Sequence, residues 1–243
     1  MPPYFYAVGL SLIGSFGGLL VASTLLLFPD GMRVKIVPWL VSYAVGTLLG
    51  VALLALLPEA LQVMPPRRVF ESLLAGILLF FVLEKLVLWR HCHTNDCEVH
   101  GSGVPLVLIG DAFHNFVDGA MIGAAVLTSV PLGVSTAIAV ATHEVPQEVG
   151  DIAVLLHAGY SRRQALLLNM LSAVAALAGA VLAVVLVDAM PTLKPYLLCA
   201  AAASFLYVAM ADLIPDLHSG RIAGGAFRQL LLVAAGVMTA YFL

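Results

Sequence analysis

Charge is scarce in this chain. Of 243 residues, 11 are Lys or Arg and 14 are Asp or Glu, so 10% are charged. A soluble domain carries about 25%, and that class is excluded. Clusters of basic residues are also missing and the formal net charge is −3, so nucleic acid is not an expected partner. Three cysteines are too few for a disulfide scaffold: Cys92 and Cys97 share one loop, and Cys199 sits in an apolar run. The opening Met-Pro-Pro-Tyr-Phe-Tyr lacks the basic segment of a cleaved signal peptide, so the first apolar run is expected to remain as a helix. No organic cofactor is expected.

What the chain has is long hydrophobic runs, with 62% of its residues apolar. Runs of about 20 residues read as membrane-spanning helices. They fall near 4–27, 37–57, 70–89, 105–128, 132–156, 163–187, 194–214 and 226–243. The expected fold is an all-α integral membrane domain over residues 1–243, with eight transmembrane helices in the lipid bilayer. With the N-terminus outside, the cytoplasmic loops hold Arg33, Lys35, Arg90, Arg162, Arg163, Arg221 and Arg228, against Arg67, Arg68 and Lys194 outside. That bias predicts both termini facing away from the cytoplasm. The short loops suggest a bacterial inner membrane.

Two segments align weakly with each other. The second helix ends Val51-Ala-Leu-Leu-Ala-Leu-Leu-Pro-Glu59, and the seventh ends Val208-Ala-Met-Ala-Asp-Leu-Ile-Pro-Asp216. Helices five apart cross the membrane in opposite directions. The alignment therefore predicts an inverted repeat of helices 1–3 and 6–8 around helices 4 and 5, a 3+2+3 arrangement of the kind found in transporters. The plainer alternative is that Pro plus an acid ends each helix.

The fourth and fifth helices break the apolar rule. They hold five carboxylates: Asp111, Asp118, Glu144, Glu148 and Asp151. No Lys or Arg lies between Arg90 and Arg162. At about 2.5–3.5 kcal/mol each, five uncompensated acids in lipid cost on the order of 10 kcal/mol. A cation from outside the chain is the simplest compensation. Asp111, His114, Asn115 and Asp118 follow i, i+3, i+4, i+7 and share one helix face. His143, Glu144, Gln147, Glu148 and Asp151 form a second stripe. Imidazole, carboxylate and amide together suit zinc, iron(II) or manganese better than sodium or potassium, and the lack of thiols disfavours copper(I). Pro146 withholds a hydrogen bond from the carbonyl of Thr142 and is expected to bend the fifth helix. Gly119 and Gly150 are expected to let helices approach closely. A buried network that only ties helices together would use fewer ionisable groups.

His114-Asn-Phe-Val-Asp-Gly119 and His143-Glu-Val-Pro-Gln-Glu-Val-Gly-Asp151 resemble the fourth- and fifth-helix signatures of the ZIP (Zrt/Irt-like) metal transporters. The fifth helix is most similar to the branch reading His-Glu-x-Pro-His-Glu-x-Gly-Asp. Phe80-Phe-Val-Leu-Glu-Lys85 and the two Pro-acid helix ends also look like that family. The resemblance implies a binuclear site at mid-membrane. His114, Asp118, His143 and Gln147 would match its first position. Asn115, Asp118, Glu144 and Gln147 would match the second, joined by Asn169. It also implies import of zinc or a related divalent ion as substrate, an elevator-like motion, and a static part that forms a homodimer. Gln147 departs from the pattern, where this branch usually has His; Glu148 is the neighbouring group that could compensate.

Two other activities use the same residues. His143-Glu-Val-Pro-Gln147 is one ligand short of the His-Glu-x-x-His of a zinc hydrolase, and an exporter of the same ions would share every site residue. The loop Arg90–His100 gathers three His and two Cys, either as a metal-catching segment or as a solvated linker. His157 and His218 are expected to meet helix C-termini. Asp212, Asp216 and Glu59 are candidates for the ends of a path. Glu84 and Lys85 are expected to neutralise each other or to snorkel.

Overall fold

The computed structural model describes residues 3–91, 104–218 and 225–242. The Cys92–His100 expectation lies outside them. Among the described residues the regular structure is helical throughout and runs as eight helices. These are α1 (Pro3–Leu25), α2 (Asp30–Gly50, continuing through a π-helical segment Val51–Leu56 into Leu57–Val63), α3 (Pro66–His91), α4 (Val104–Val126), α5 (Val130–His157), α6 (Arg162–Ala189), α7 (Lys194–Tyr207, a π-helical segment Val208–Leu213, then Ile214–His218) and α8 (Ala226–Phe242). A 3₁₀ turn, Pro191–Leu193, leads into α7.

By length and composition, Pro3–Leu25, Lys35–Val63, Arg162–Ala189 and Pro191–His218 are apolar enough to cross a membrane, and Ala226–Phe242 is a shorter apolar helix. The acids Glu144, Glu148 and Asp151 dilute the apolar character of α5. Many large apolar side chains face outward, among them Leu74, Leu78, Leu171, Val174 and Leu230. Exposure on that scale has no place on a soluble monomer and fits contact with lipid. The protein is an all-α, multi-pass membrane protein.

Local chemistry sets several helix ends. Ser129 caps α5, its Oγ accepting from the backbone N–H of Leu132 at 3.2 Å. Ser161 and Gln164 form a reciprocal capping box at α6. Between α5 and α6, Gly159 takes φ +91°, which side-chain-bearing residues adopt only with strain.

Pro58 and Pro215 do not end their helices; α2 runs on to Val63 and α7 to His218. The plainer reading of the Pro-acid pairs is therefore corrected. Each proline follows a π segment. The residue before it donates five back, Leu57 to the carbonyl of Ala52 and Ile214 to that of Ala209. A proline cannot donate, and its ring crowds the carbonyl four residues earlier. One turn of wider register absorbs that crowding and the helix continues.

The helices group by contact. In one bundle α4 packs on α6 and α1 packs on α5, with α1 also against α4 and α6. In the other, α2 packs on α8 and α3 on α7. The two bundles meet where α2 lies on α5 and α7 on α4. The main core, including Leu48, Leu56, Ile122, Val140 and Phe205, fills that junction. A hydrogen bond joins the two bundles there, Thr47 Oγ1 with Thr142 Oγ1 at 2.8 Å.

The α4–α6 seam brings backbones into near contact. A methyl group on Gly119 would lie 1.8 Å from the carbonyl oxygen of Ala176, and one on Gly179 would lie 1.9 Å from that of Phe116. Gly119 thus fulfils its expected packing role. Gly150 does not: among the described residues, nothing beyond its own stretch of helix lies within 4 Å of where its Cβ would be. We predict that Gly119→Ala or Gly179→Ala lowers thermal stability by about 1–3 kcal/mol. Gly150→Ala should be neutral or slightly stabilising. Thermal unfolding in detergent measures all three.

Candidate metal site

Two stripes of polar residues, one on α4 and one on α5, face each other inside the first bundle. His114 Nε2 and His143 Nε2 lie 3.1 Å apart. His143 Nε2 is 3.0 Å from Asp118 Oδ2, and His114 Nε2 is 3.5 Å from the same oxygen and 3.7 Å from Glu144 Oε1. One ligand atom from each of His114, Asp118, His143 and Glu144 falls within 4.8 Å of all the others. Asp118, His143 and Glu144 are almost fully buried.

The state of His143 follows from its other nitrogen. Nδ1 lies 2.9 Å from the carbonyl oxygen of Ala139. A carbonyl only accepts, so the ring donates there and a neutral His143 presents its lone pair from Nε2. Phe205 of α7 packs edge-on against this ring, with centroids 6.1 Å apart. The glycine at position 18 makes room for Glu144, since a Cβ there would come within 2.6 Å of the Glu144 Cβ.

Asn115 and Asn169 are oriented in the same sense. Asn115 Nδ2 donates to Asp111 Oδ1 at 2.9 Å and to the Asp111 carbonyl at 3.2 Å. Asn169 Nδ2 donates to the carbonyl of Ala165 at 3.0 Å. Both amide oxygens are left buried and without a hydrogen-bond partner, as are both carboxylate oxygens of Asp118, Glu144 and Glu148. Buried acceptors in that state are costly. A divalent cation satisfies several at once, and hard oxygens with imidazole nitrogen suit a borderline ion such as zinc.

The remaining expected residues take different positions. Asp111 is buried and engaged: Ser172 Oγ and Asn115 Nδ2 both donate to it. It therefore orients Asn115 in this geometry. Gln147 is half-buried and lines a cavity of about 380 Å³ with His114, His143 and Pro146. Glu148 is buried one turn along α5 from Glu144, outside the four-atom cluster, and half-buried Asp151 also lies outside it. The cavity leads from the two histidines to Asp212 and Asp216 of α7, with Val37 and Val41 of α2 on its wall. Ser172 was not anticipated; the signal available was its place three residues after Asn169 on α6. Glu84 and Lys85 turn to separate partners. Glu84 accepts from the hydroxyl of Tyr207, and the Lys85 ammonium sits 5.5 Å from the centre of the Phe81 ring.

The sequence profile described as ZIP Zinc transporter matches residues 90–243. The chain belongs to the ZIP zinc transporter family. It is 41% identical over 130 residues to zinc transporter ZIP10 of Danio rerio, covering 52% of this chain and 15% of that protein. It is 47% identical over 110 residues to zinc transporter ZIP4 of Homo sapiens, covering 45% and 17%. With zinc transporter ZIP13 of Pongo abelii the identity is 32% over 214 residues, or 82% of this chain and 64% of the relative. The chain thus spans less than a fifth of the ZIP10 and ZIP4 relatives.

If Gln147 touches the ion, Gln147→His exchanges a weak neutral amide for imidazole. We predict about tenfold tighter zinc binding, the lower end of what a change beside a bound metal produces. Competition against a chromophoric chelator measures it, and an unchanged affinity removes position 147 from the ligand set.

Proposed function

We propose that the protein carries a divalent transition metal ion, zinc foremost, across the membrane into the cytosol through the buried site on α4 and α5. The observation that carries this reading is the meeting of His114, Asp118, His143 and Glu144 within 4.8 Å, in a segment without a Lys or Arg. Asn115, Asp118, Glu144, Glu148 and Asn169 together carry eight buried oxygens without a hydrogen-bond partner. They support a second ion position built from Asn115, Asp118, Glu144, Gln147 and Asn169. The names of the ZIP4, ZIP10 and ZIP13 relatives supply zinc as the first ion to test.

Movement of the ion requires a path. The cavity beside His114 and His143 reaches Asp212 and Asp216, two acids one helical turn apart on the last turns of α7. In the orientation drawn from the basic loops this mouth opens to the cytoplasm. A doubly charged ion entering against a 100 mV negative interior gains about 4.6 kcal/mol, so import needs no further energy source.

Alternating access follows from the two bundles. Helices α1, α4, α5 and α6 carry the site and form the moving part. Helices α2, α3, α7 and α8 form the static part, which pairs in a homodimer. The contacts support the inverted repeat: exchanging α1 with α6, α2 with α7, α3 with α8 and α4 with α5 turns the α4–α6 contact into α5–α1 and the α3–α7 contact into α8–α2. The matched π segments at Val51–Leu56 and Val208–Leu213 follow the same exchange. A hydrolase reading lacks its second histidine at Gln147.

Flux into sealed proteoliposomes tests the proposal with zinc, cadmium, iron(II) and manganese in turn. We predict saturable zinc uptake that falls at least about tenfold in His143→Ala and in Asp118→Ala. Absence of flux for every ion, or undiminished flux in both variants, would overturn it. Peptide cleavage that depends on Glu144 would point to the hydrolase.

A further inference from the structure

Away from the metal site, two cavities share the α3–α7 seam. The first, of about 470 Å³, opens where α2 ends and α3 and α7 begin, lined by Val63, Met64, Arg68, Thr192, Lys194 and Tyr196. Two cations converge on it and no carboxylate is in its wall. The neighbouring Arg67 is bound to Glu71 at 2.7 Å. Arg68 and Lys194 make no ion pair among the described residues. Thr192 and Tyr196 add hydroxyl donors, and Tyr196 is a residue type concentrated at membrane–water boundaries.

The second cavity, of about 220 Å³, lies deeper on the same two helices and is apolar. Gly76, Leu79 and Leu83 of α3, Phe113 of α4, and Leu197 and Ala200 of α7 face it. The helical register joins the two. Lys194, Leu197 and Ala201 follow i, i+3, i+7 on α7, and Leu79 lies eleven residues, close to three whole turns, beyond Arg68 on α3. At about 1.5 Å per residue, Gly76 and Leu83 sit roughly 12 and 22 Å below Arg68 along α3. The acyl region of one leaflet is about 15 Å deep. A charged recess at the boundary thus stands directly above an apolar groove at acyl depth.

We propose that this seam binds one anionic glycerophospholipid, its phosphate between Arg68 and Lys194 and an acyl chain in the groove between α3, α7 and α4. The recess alone would suit any phosphate-class oxyanion; the groove selects the lipid. The chain would rest on Phe113, the residue before His114, and so on the back of the helix that carries half of the metal cluster. The inference is independent of metal transport, because lipid occupancy is read without an ion.

Native mass spectrometry of the full chain in detergent, with equal amounts of dioleoylphosphatidylglycerol and dioleoylphosphatidylcholine, tests it. The anionic lipid should be retained preferentially. Each basic group near an anionic headgroup contributes about fivefold in affinity, so Arg68→Gln with Lys194→Gln should remove at least about tenfold of the preference. The charge-conserving pair Arg68→Lys and Lys194→Arg should keep it, which separates lost charge from lost fold. Ala200→Phe, which fills the groove, should weaken retention with both cations present. Equal retention of the two lipids, survival of the preference in the Gln pair, or indifference to Ala200→Phe would each overturn the proposal. Complete displacement of the lipid by millimolar inorganic phosphate would also overturn it, leaving a free-anion site.

Discussion

The crowded, unpartnered acceptor oxygens of α4 and α5 are the constraint on which the rest of the structure depends. Asp118, Glu144 and Glu148 are buried with their oxygens unpartnered, and His143 adds a lone pair because Nδ1 is committed to Ala139. Acceptors packed together in a medium that solvates poorly repel one another. The groups that hold them have to be correspondingly firm. The α4–α6 seam supplies this with backbones almost touching at Gly119 and Gly179. Gly18 of α1 lets Glu144 into the interior, and Phe205 of α7 closes over His143. The small residues and the ionisable ones thus belong to one arrangement: close packing holds the four side chains of the cluster at fixed separation.

A layer of polar groups orients that arrangement. Asp111 receives Ser172 and Asn115, and Asn115 in turn exposes its oxygen rather than its nitrogen. Asn169 reaches the same orientation through Ala165 on its own helix. Amides can present either end to a cation, and only one end is useful. The hydrogen bonds fix that choice in advance, so a cation proposed to bind there would meet oxygens already oriented.

Much of the site was legible in sequence because helical spacing and membrane energetics are both simple rules. Asp111, His114, Asn115 and Asp118 could be placed on one face by counting, and the lack of any Lys or Arg in this segment read directly. Counting could not separate Asp111, which orients a neighbour, from Asp118, which joins the cluster, since both are acids on the same stripe. Their difference is made by Ser172, from a helix more than fifty residues further on. The membrane-spanning character was equally legible, yet the ends of α2 and α7 were not. A proline ordinarily stops a helix, and the π register that carries Leu57 and Ile214 past Pro58 and Pro215 is a backbone adjustment with no residue type of its own. Gly150 shows the opposite error, since small size permits close approach but does not require a neighbour.

The bond between Thr47 and Thr142 joins the two bundles across their junction. Each hydroxyl also has a carbonyl of its own helix within reach, Ala44 at 2.9 Å for Thr47 and Ala139 at 3.0 Å for Thr142. A hydroxyl has one proton, so in the joined state one threonine donates to its own helix and the other donates across. If the bundles slide apart, the second proton turns back to its own carbonyl and neither oxygen loses its donor role. The contact between these two threonines can therefore open without leaving an unsatisfied donor.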